Sequence, residues 1–235
     1  MRSAFIILAK YPVPGFVKTR LARSIGDIPA SKLYHCFVSN ILKNCSQPSL
    51  ADELRIAVAQ KEYLQQFELE FPGADRYISQ LDVAELGEKM RYAIKQALID
   101  GFKKVVVIGT DSPNLPVELI KDAFDLLEHN DVVIGPADDG GYYLIATKSD
   151  LQDLFSGISW GTERVLEQTL AAITKNKQSY RLLPEFYDID DLESLYRLAK
   201  ENPEIILECK AFAEETGMVL NCLKNREFPG TKQHE

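Results

Sequence analysis

Apolar positions along this chain fall into two kinds of segment that alternate. Nearly unbroken apolar runs of strand length occur at Ala4–Ala9, Leu54–Ala59, Val105–Gly109, Val132–Gly135 and Tyr142–Thr147. Between them the apolar residues recur at the three- and four-residue spacing of a helix. Ser31–Leu42 places Leu33, Phe37, Ile41 and Leu42 on one face, and Gly87–Phe102 does the same with Met90, Ile94, Ala97 and Leu98. Val117–Leu127 follows with Leu119, Ile120, Ala123, Phe124 and Leu127, and the last third holds helical patterns at Thr162–Ile173, Leu192–Lys200 and Glu204–Glu215. Strands apolar almost throughout, alternating with helices, predict an α/β fold: a three-layer, doubly wound, mostly parallel sheet covered on both faces. No Pro/Gly/Ser-rich linker and no internal repeat divides the chain, so one domain over residues 1–235 is expected, with Asn221–Glu235 a polar, frayed tail.

Charge narrows the partners. The chain carries 27 Lys and Arg against 35 Asp and Glu, a net charge of -8. No basic excess exists to neutralise a phosphate backbone, so general nucleic-acid binding is not expected. No apolar run reaches membrane-spanning length and no signal peptide precedes the first strand, which predicts a cytoplasmic protein with no membrane partner. Monomer and symmetric dimer both stay open. The four cysteines (Cys36, Cys45, Cys209, Cys222) show no metal-ligand spacing, and Cys36 and Cys45 fall in a helical pattern as buried free thiols.

Four segments carry candidate chemistry. The first follows the opening strand: two prolines and Gly15 break the chain at Pro12-Val13-Pro14-Gly15, and Lys18 and Arg20 come directly after. A strand that ends in a stiff turn bearing two cations suits a phosphate or pyrophosphate, although a surface loop with two solvated charges reads the same way. The second is Gly109-Thr110-Asp111-Ser112-Pro113, where an apolar strand delivers Asp111 to its carboxyl end. Ligands of open α/β sheets bind beyond those ends, and a carboxylate there can hold a divalent cation that bridges phosphates, although Asp111 could instead cap the helix that begins at Val117. The third is Asp138-Asp139-Gly140-Gly141, which is equally a turn or a site. The fourth is Tyr187-Asp188-Ile189-Asp190-Asp191, where alternation about Ile189 puts Asp188 and Asp190 on one side to complete a metal site with Asp111. Asp191 can cap the helix that follows, with Ser194 in its first turn.

Several mechanisms have no motif here. The chain lacks G-x-G-x-x-G after its first strand, the G-x-x-x-x-G-K-[ST] loop, G-x-S-x-G and H-E-x-x-H. The three histidines are scattered, His35 and His129 on predicted helices and His234 in the tail, which disfavours histidine catalysis or zinc.

Together these segments resemble a bacterial family of glycosyltransferase-like proteins, long described as a domain of unknown function (DUF2064), some of them associated with arsenosugar biosynthesis. The resemblance rests on Ala9–Leu21 (A-x-x-P-x-P-G-x-x-K-T-R-L), Leu86-Gly87-Glu88 with Met90, Gly109–Pro113, Gly135-Pro136 with Asp139–Tyr142, Trp160-Gly161-Thr162 and Asp188-Ile189-Asp190, in the family's order. It implies the GT-A nucleotide-diphospho-sugar transferase fold. Thr19-Arg20-Leu21 also echoes the loop of sugar-nucleotide pyrophosphorylases, with Pro12–Gly15 in place of its glycines, and Thr110-Asp111-Ser112 stands where typical GT-A enzymes carry D-x-D.

The resemblance implies transfer of a sugar from a nucleoside-diphosphate sugar to a small hydroxylated acceptor. Ala9, Pro14, Gly15, Lys18, Arg20, Gln80 and Gly87 would bind the nucleotide, with Gln80 at the base, and Asp111, Asp188 and Asp190 would hold Mg²⁺ or Mn²⁺. Lys18 and Arg20 would stabilise the leaving diphosphate and Asp139 would act as general base. Gly140, Gly141, Tyr142 and Trp160 would meet the acceptor, although Trp160 reads equally as core, with Thr162 the cap of the next helix. A nucleotidyltransferase releasing pyrophosphate and a nucleotide-binding protein without catalysis remain the alternatives.

Overall fold

A computed structural model describes residues 1–150 and 154–212. Cys222, His234, the expected tail at 221–235 and the end of the helical pattern at Glu204–Glu215 lie outside the described residues. In chain order the elements are β1 (Ser3–Ala9), α1 (Thr19–Ile25), α2 (Asp27–Cys45), β2 (Glu53–Val58), α3 (Leu64–Glu70), β3 (Arg76–Ser79), α4 (Leu86–Ile99) and β4 (Lys104–Ile108). They continue with α5 (Val117–Leu126), β5 (Val132–Pro136), β6 (Tyr142–Thr147), α6 (Val165–Lys175), β7 (Tyr180–Leu182), α7 (Leu192–Glu201) and α8 (Pro203–Phe212).

The strands form one seven-stranded sheet in the order β3-β2-β1-β4-β6-β5-β7. Every neighbouring pair is parallel except β4–β6 and β5–β6. The short Ala137–Gly141 connection dictates that exception, because a parallel pair needs a crossover of a dozen residues or more and a hairpin does not.

Side-chain alternation explains why the central strands read as continuous apolar runs. Phe5 and Ile7 of β1 join Val106 and Ile108 of β4 on the face covered by α2 and α5, while Ala4 and Ile6 join Val105 and Val107 beneath α4 and α6. A third cluster, built on Leu21, Leu33, Phe37, Ile189, Leu195, Leu198, Ile205 and Ile206, packs α1, α2, α7 and α8 together.

The five expected strands and six helical patterns are present, with ends shifted by a few residues. Two strands and two helices had no sequence signal. All three side chains of β7 are exposed and none of β3 is fully buried, as befits the two edges of a sheet. Helices α1 and α3 are single seven-residue segments. Asp191 does cap α7, in a reciprocal arrangement with Ser194. Thr162 does not cap α6, which begins at Val165 after Arg164; its hydroxyl donates instead to Ser159 O at 2.8 Å, closing a turn before the helix. His129 lies just past the end of α5 rather than within it.

Candidate functional site

The carboxyl ends of β1 and β4 open into a cleft of about 1000 Å³. The chain leaves β1 at Ala9 and turns through Tyr11–Gly15, with Val13 N donating to Tyr11 O at 2.8 Å and Phe16 N to Val13 O at 3.1 Å. It then places Lys18 in the left-handed region (φ 48°) immediately before α1. That conformation is unusual for a residue with a Cβ. Here it aims the side chain inward: the Lys18 side chain is 2% exposed and its ammonium contacts Asp111 Oδ1, with Asp190 Oδ1 at 3.3 Å. Arg20, in the first turn of α1, is 65% exposed and reaches Asp190 Oδ2 at 3.7 Å.

Two further ties hold the carboxylates in place. Ile189 N donates to Asp111 O at 2.8 Å, fixing the 188–190 segment against the end of β4, and Ser112 Oγ donates to Asp188 Oδ1 at 2.6 Å. Tyr34 of α2 braces the same floor: its hydroxyl accepts from Lys10 N at 3.0 Å and lies 2.7 Å from Thr110 Oγ1. The loops after β1 and β4 are thus pinned to one buried phenol.

This packing sets the electrostatics. Asp111 keeps half its side-chain surface open to the cleft; desolvation by the surrounding protein pushes its carboxyl up, but the Lys18 ammonium pulls it below the ordinary range. Burial pushes Asp188 up to about 7, with the charge on Asp111 adding to it. Burial opposes the charge on Lys18, yet Asp111 and Asp190 overcome it and hold the ammonium above its ordinary value.

Carboxylate oxygen is the right donor for Mg²⁺ or Mn²⁺. The space between Asp111 and Asp190, however, is taken by the Lys18 ammonium, and among the described residues no three acidic, histidine or cysteine side chains converge as a metal site. The three carboxylates fit a hard cation in kind and need Lys18 to withdraw before they fit it in arrangement.

The structure brings most of the expected site residues to this cleft. Ala9, Lys18, Arg20, Gln80, Asp111, Asp139, Gly141, Tyr142, Trp160, Asp188 and Asp190 all line it. Pro14, Gly15, Gly87 and Gly140 do not. Pro14 and Gly15 are exposed in the turn that leads to Lys18. Gly87 is a seat for Trp160: a Cβ there would stand 2.5 Å from the indole. Gly140 serves the hairpin, where its carbonyl accepts from Leu166 N at 2.9 Å and a side chain would collide with the backbone of Glu163.

Gln80 donates its amide nitrogen to Ala57 O at 2.7 Å and Ala9 O at 3.3 Å, so its carbonyl oxygen is what remains for a ligand. Asp139 Oδ1 accepts from Gly141 N at 2.8 Å, so the carboxylate shapes the turn as well as lining the cleft. Trp160 is half-buried against Phe155 and edge-on to Tyr142, and its indole N–H has no hydrogen-bond partner among the described residues. Its packing and cleft-lining roles therefore coincide. Sequence reasoning missed Tyr34, Ser112 as the partner of Asp188, and Lys10, Lys89 and Arg164 on the cleft wall. A smaller recess of about 310 Å³ adjoins it, sharing Arg20, Asp139, Asp188 and Asp190 and adding Asp138, Glu193 and Arg197.

Among the described residues no helix is long and apolar enough to cross a membrane. The family described as "Uncharacterized protein conserved in bacteria (DUF2064)" matches residues 44–162. A structure from Desulfovibrio desulfuricans G20, described as a "putative nucleotide-diphospho-sugar transferase", is 33% identical with a TM-score of 0.79, over 90% of this chain and 96% of that one. CMP:2-keto-3-deoxy-manno-octonic acid synthetase complexed with CTP superposes with a TM-score of 0.58 at 10% identity, over 87% of this chain and 99% of that one. The 4-diphosphocytidyl-2C-methyl-D-erythritol synthase of Anaerococcus prevotii DSM 20548 gives 0.55 at 13%, over 83% and 95%. The last two likenesses concern the fold alone. No curated protein matches the sequence.

Proposed function

This chain belongs to the bacterial family DUF2064 and has the nucleotide-diphospho-sugar transferase fold, and on that footing we propose that it transfers a sugar from a nucleoside-diphosphate sugar to a small hydroxylated acceptor. The observation that carries the reading is the buried Lys18 ammonium, shared by Asp111 and Asp190 at the floor of the cleft with Arg20 beside it. A cation stationed at the carboxyl ends of the strands, free to pass from the carboxylates to a phosphate, is suited to charge that builds on a leaving diphosphate, and such a group is worth about 3–4 kcal/mol where water is excluded.

In this reading Lys18 and Arg20 bind the diphosphate. Ala9 and Gln80 flank the base, and the Gln80 carbonyl accepts from a donor on its edge. Asp139 takes the proton of the acceptor hydroxyl, and Gly141, Tyr142 and Trp160 wall the acceptor side. Asp111 with Asp188 or Asp190 would hold Mg²⁺ or Mn²⁺, which neutralises diphosphate charge when bound.

Nucleotidyl transfer with pyrophosphate release is the competing reaction. The turn at Pro12–Gly15 disfavours it, because two prolines and one glycine stand where the pyrophosphorylase loop carries its glycine-rich backbone cradle. Thermal-shift titration with UDP, GDP, CDP and ADP, their sugar conjugates and the triphosphates, each with and without Mn²⁺, tests the proposal. A ligand at 100 times its Kd adds about 2.7 kcal/mol, or roughly 5–10 °C at this size. A shift with one diphosphate and its sugar, lost in Asp111→Ala when Mn²⁺ is required, is the expected result. Shifts with triphosphates alone, accompanied by pyrophosphate release, would replace it with nucleotidyl transfer. Nucleotide binding without turnover of any donor would reduce it to a binding protein.

A further inference from the structure

The carboxylates at the floor of the cleft are gathered by ties that do not involve Lys18. Ile189 N donates to Asp111 O at 2.8 Å, which sets the 188–190 segment against the end of β4. Ser112 Oγ donates to Asp188 Oδ1 at 2.6 Å, and Asp190 N donates to Ser194 Oγ at 3.1 Å. Asp111 and Asp190 both reach one ammonium, so they stand close enough to repel each other without a cation between them.

Lys18 supplies that cation from the protein side. Its side chain is 2% exposed, whereas those of Asp111 and Asp190 are 50% and 41% exposed. The two carboxylates therefore also face the cleft, from which a dissolved cation would arrive. Arg20 reaches only Asp190 Oδ2, at 3.7 Å, and leaves Asp111 to Lys18. The Lys18 backbone is fixed at the start of α1, but a flexible four-carbon stem lets its ammonium move while the chain stays in place.

We infer that Lys18 and a divalent cation are alternative occupants of the Asp111–Asp190 pair: the lysine keeps the ligand-free protein from holding metal, and metal entry releases its ammonium into the cleft. The two cannot share the pair, because a metal ion beside a buried ammonium is opposed by its charge and left with fewer carboxylate oxygens. This exchange rests on the reading of the floor as the diphosphate site and gives that site an order of events. As the carboxylates give up Lys18, its ammonium becomes free to meet the phosphates.

Binding of Mn²⁺ alone, followed by electron paramagnetic resonance of the free ion with no nucleotide present, tests the exchange separately from sugar transfer. Lys18→Met should bind Mn²⁺ roughly ten-fold or more tightly than the native chain, since it removes a unit charge beside the ion. Asp111→Asn in that background should abolish the gain. Lys18→Gln, whose amide can still donate to Asp111, gives the same comparison if the methionine variant does not fold. In the native chain, brief acetic anhydride labelling read by peptide mass should modify Lys18 slowly without metal and several-fold faster at saturating Mn²⁺. Equal Mn²⁺ affinity in native and variant chains, a gain that survives Asp111→Asn, or Lys18 labelling indifferent to bound Mn²⁺ would overturn the exchange. Failure of every sugar donor to turn over would instead remove the proposed reaction and leave the exchange standing.

Discussion

Replacing Gly140 with alanine should damage this protein more than its small change in volume suggests. The residue has φ 83°, and an added Cβ would stand 2.2 Å from the carbonyl oxygen of Glu163 and 2.7 Å from its carbonyl carbon. The obstacle is backbone, so no side chain can swing away. Gly101 offers the matched control: its φ is 92°, but an added Cβ meets nothing within 4 Å. The left-handed conformation alone costs about 1–2 kcal/mol for a residue with a Cβ. Overpacking at Gly140 adds about 1–3 kcal/mol, since relief requires the Ala137–Gly141 hairpin to part from the segment before α6. At this chain length each kcal/mol lowers Tm by roughly 2–4 °C. Gly101→Ala should therefore lose about 2–8 °C and Gly140→Ala roughly 2–12 °C more. Differential scanning fluorimetry of the two variants beside wild type measures the gap. Equal losses would refute the argument, showing that the hairpin yields without cost.

Other expectations follow from the same geometry. Lys18→Met should weaken binding of the preferred nucleoside diphosphate by roughly ten- to a hundred-fold, the worth of a hydrogen bond to a charged group. Asp111 keeps half its side-chain surface exposed, so water can hydrate it in the variant and the loss should appear in calorimetric affinity rather than in folding; unchanged affinity would remove Lys18 from the ligand. Tyr34→Phe strands the Lys10 N–H and should cost about 1–3 kcal/mol in urea unfolding; no change would mean the loops after β1 and β4 are not held through that phenol. His35 is opposed by burial but held above its ordinary pKa by Cys36 and Glu70. Its stabilisation is therefore complete below the unfolded value of about 6.5 and disappears as pH rises through the elevated folded value. His35→Gln should destabilise more near pH 5.5 than near pH 8.5, roughly, in paired melting curves, and a deficit that does not vary with pH would contradict the ion pair.

What the sequence disclosed and what it hid have separate physical causes. β1, β4, β5 and β6 are buried on both faces, so their apolar content alone announces them. β2 does so although it carries Arg55, a fully buried guanidinium whose Nε lies 2.5 Å from Glu53 and whose Nη2 lies 2.7 Å from Asp100. β3 and β7 are edges, whose existence depends on neighbours distant in sequence. Lys18, Arg20, Asp111, Asp188 and Asp190 were legible because charge at a strand end contrasts with what precedes it. Their mutual arrangement was not: nothing in the spacing of Lys18 and Asp111 says that the lysine would pair with the carboxylates. Tyr34 was hidden for the opposite reason, since a tyrosine on the apolar face of α2 is indistinguishable from core packing until its hydroxyl has partners.

The reversed strand β6 has a wider consequence. It enters the sheet where its parallel neighbours leave, so the hairpin before it joins the loops after β1 and β4 on one rim. That rim also gathers Gly15, Lys18, Gly140 and Gly161, all held at positive φ. The opposite rim is closed by ordinary polar clasps: Asp52 with Ser3, Asp131 with Ser179, and Arg2 O with Lys103 N. The molecule therefore has a working edge and a holding edge. Tags, surface tethers and stabilising substitutions belong on the holding edge, a full strand length away from the cleft.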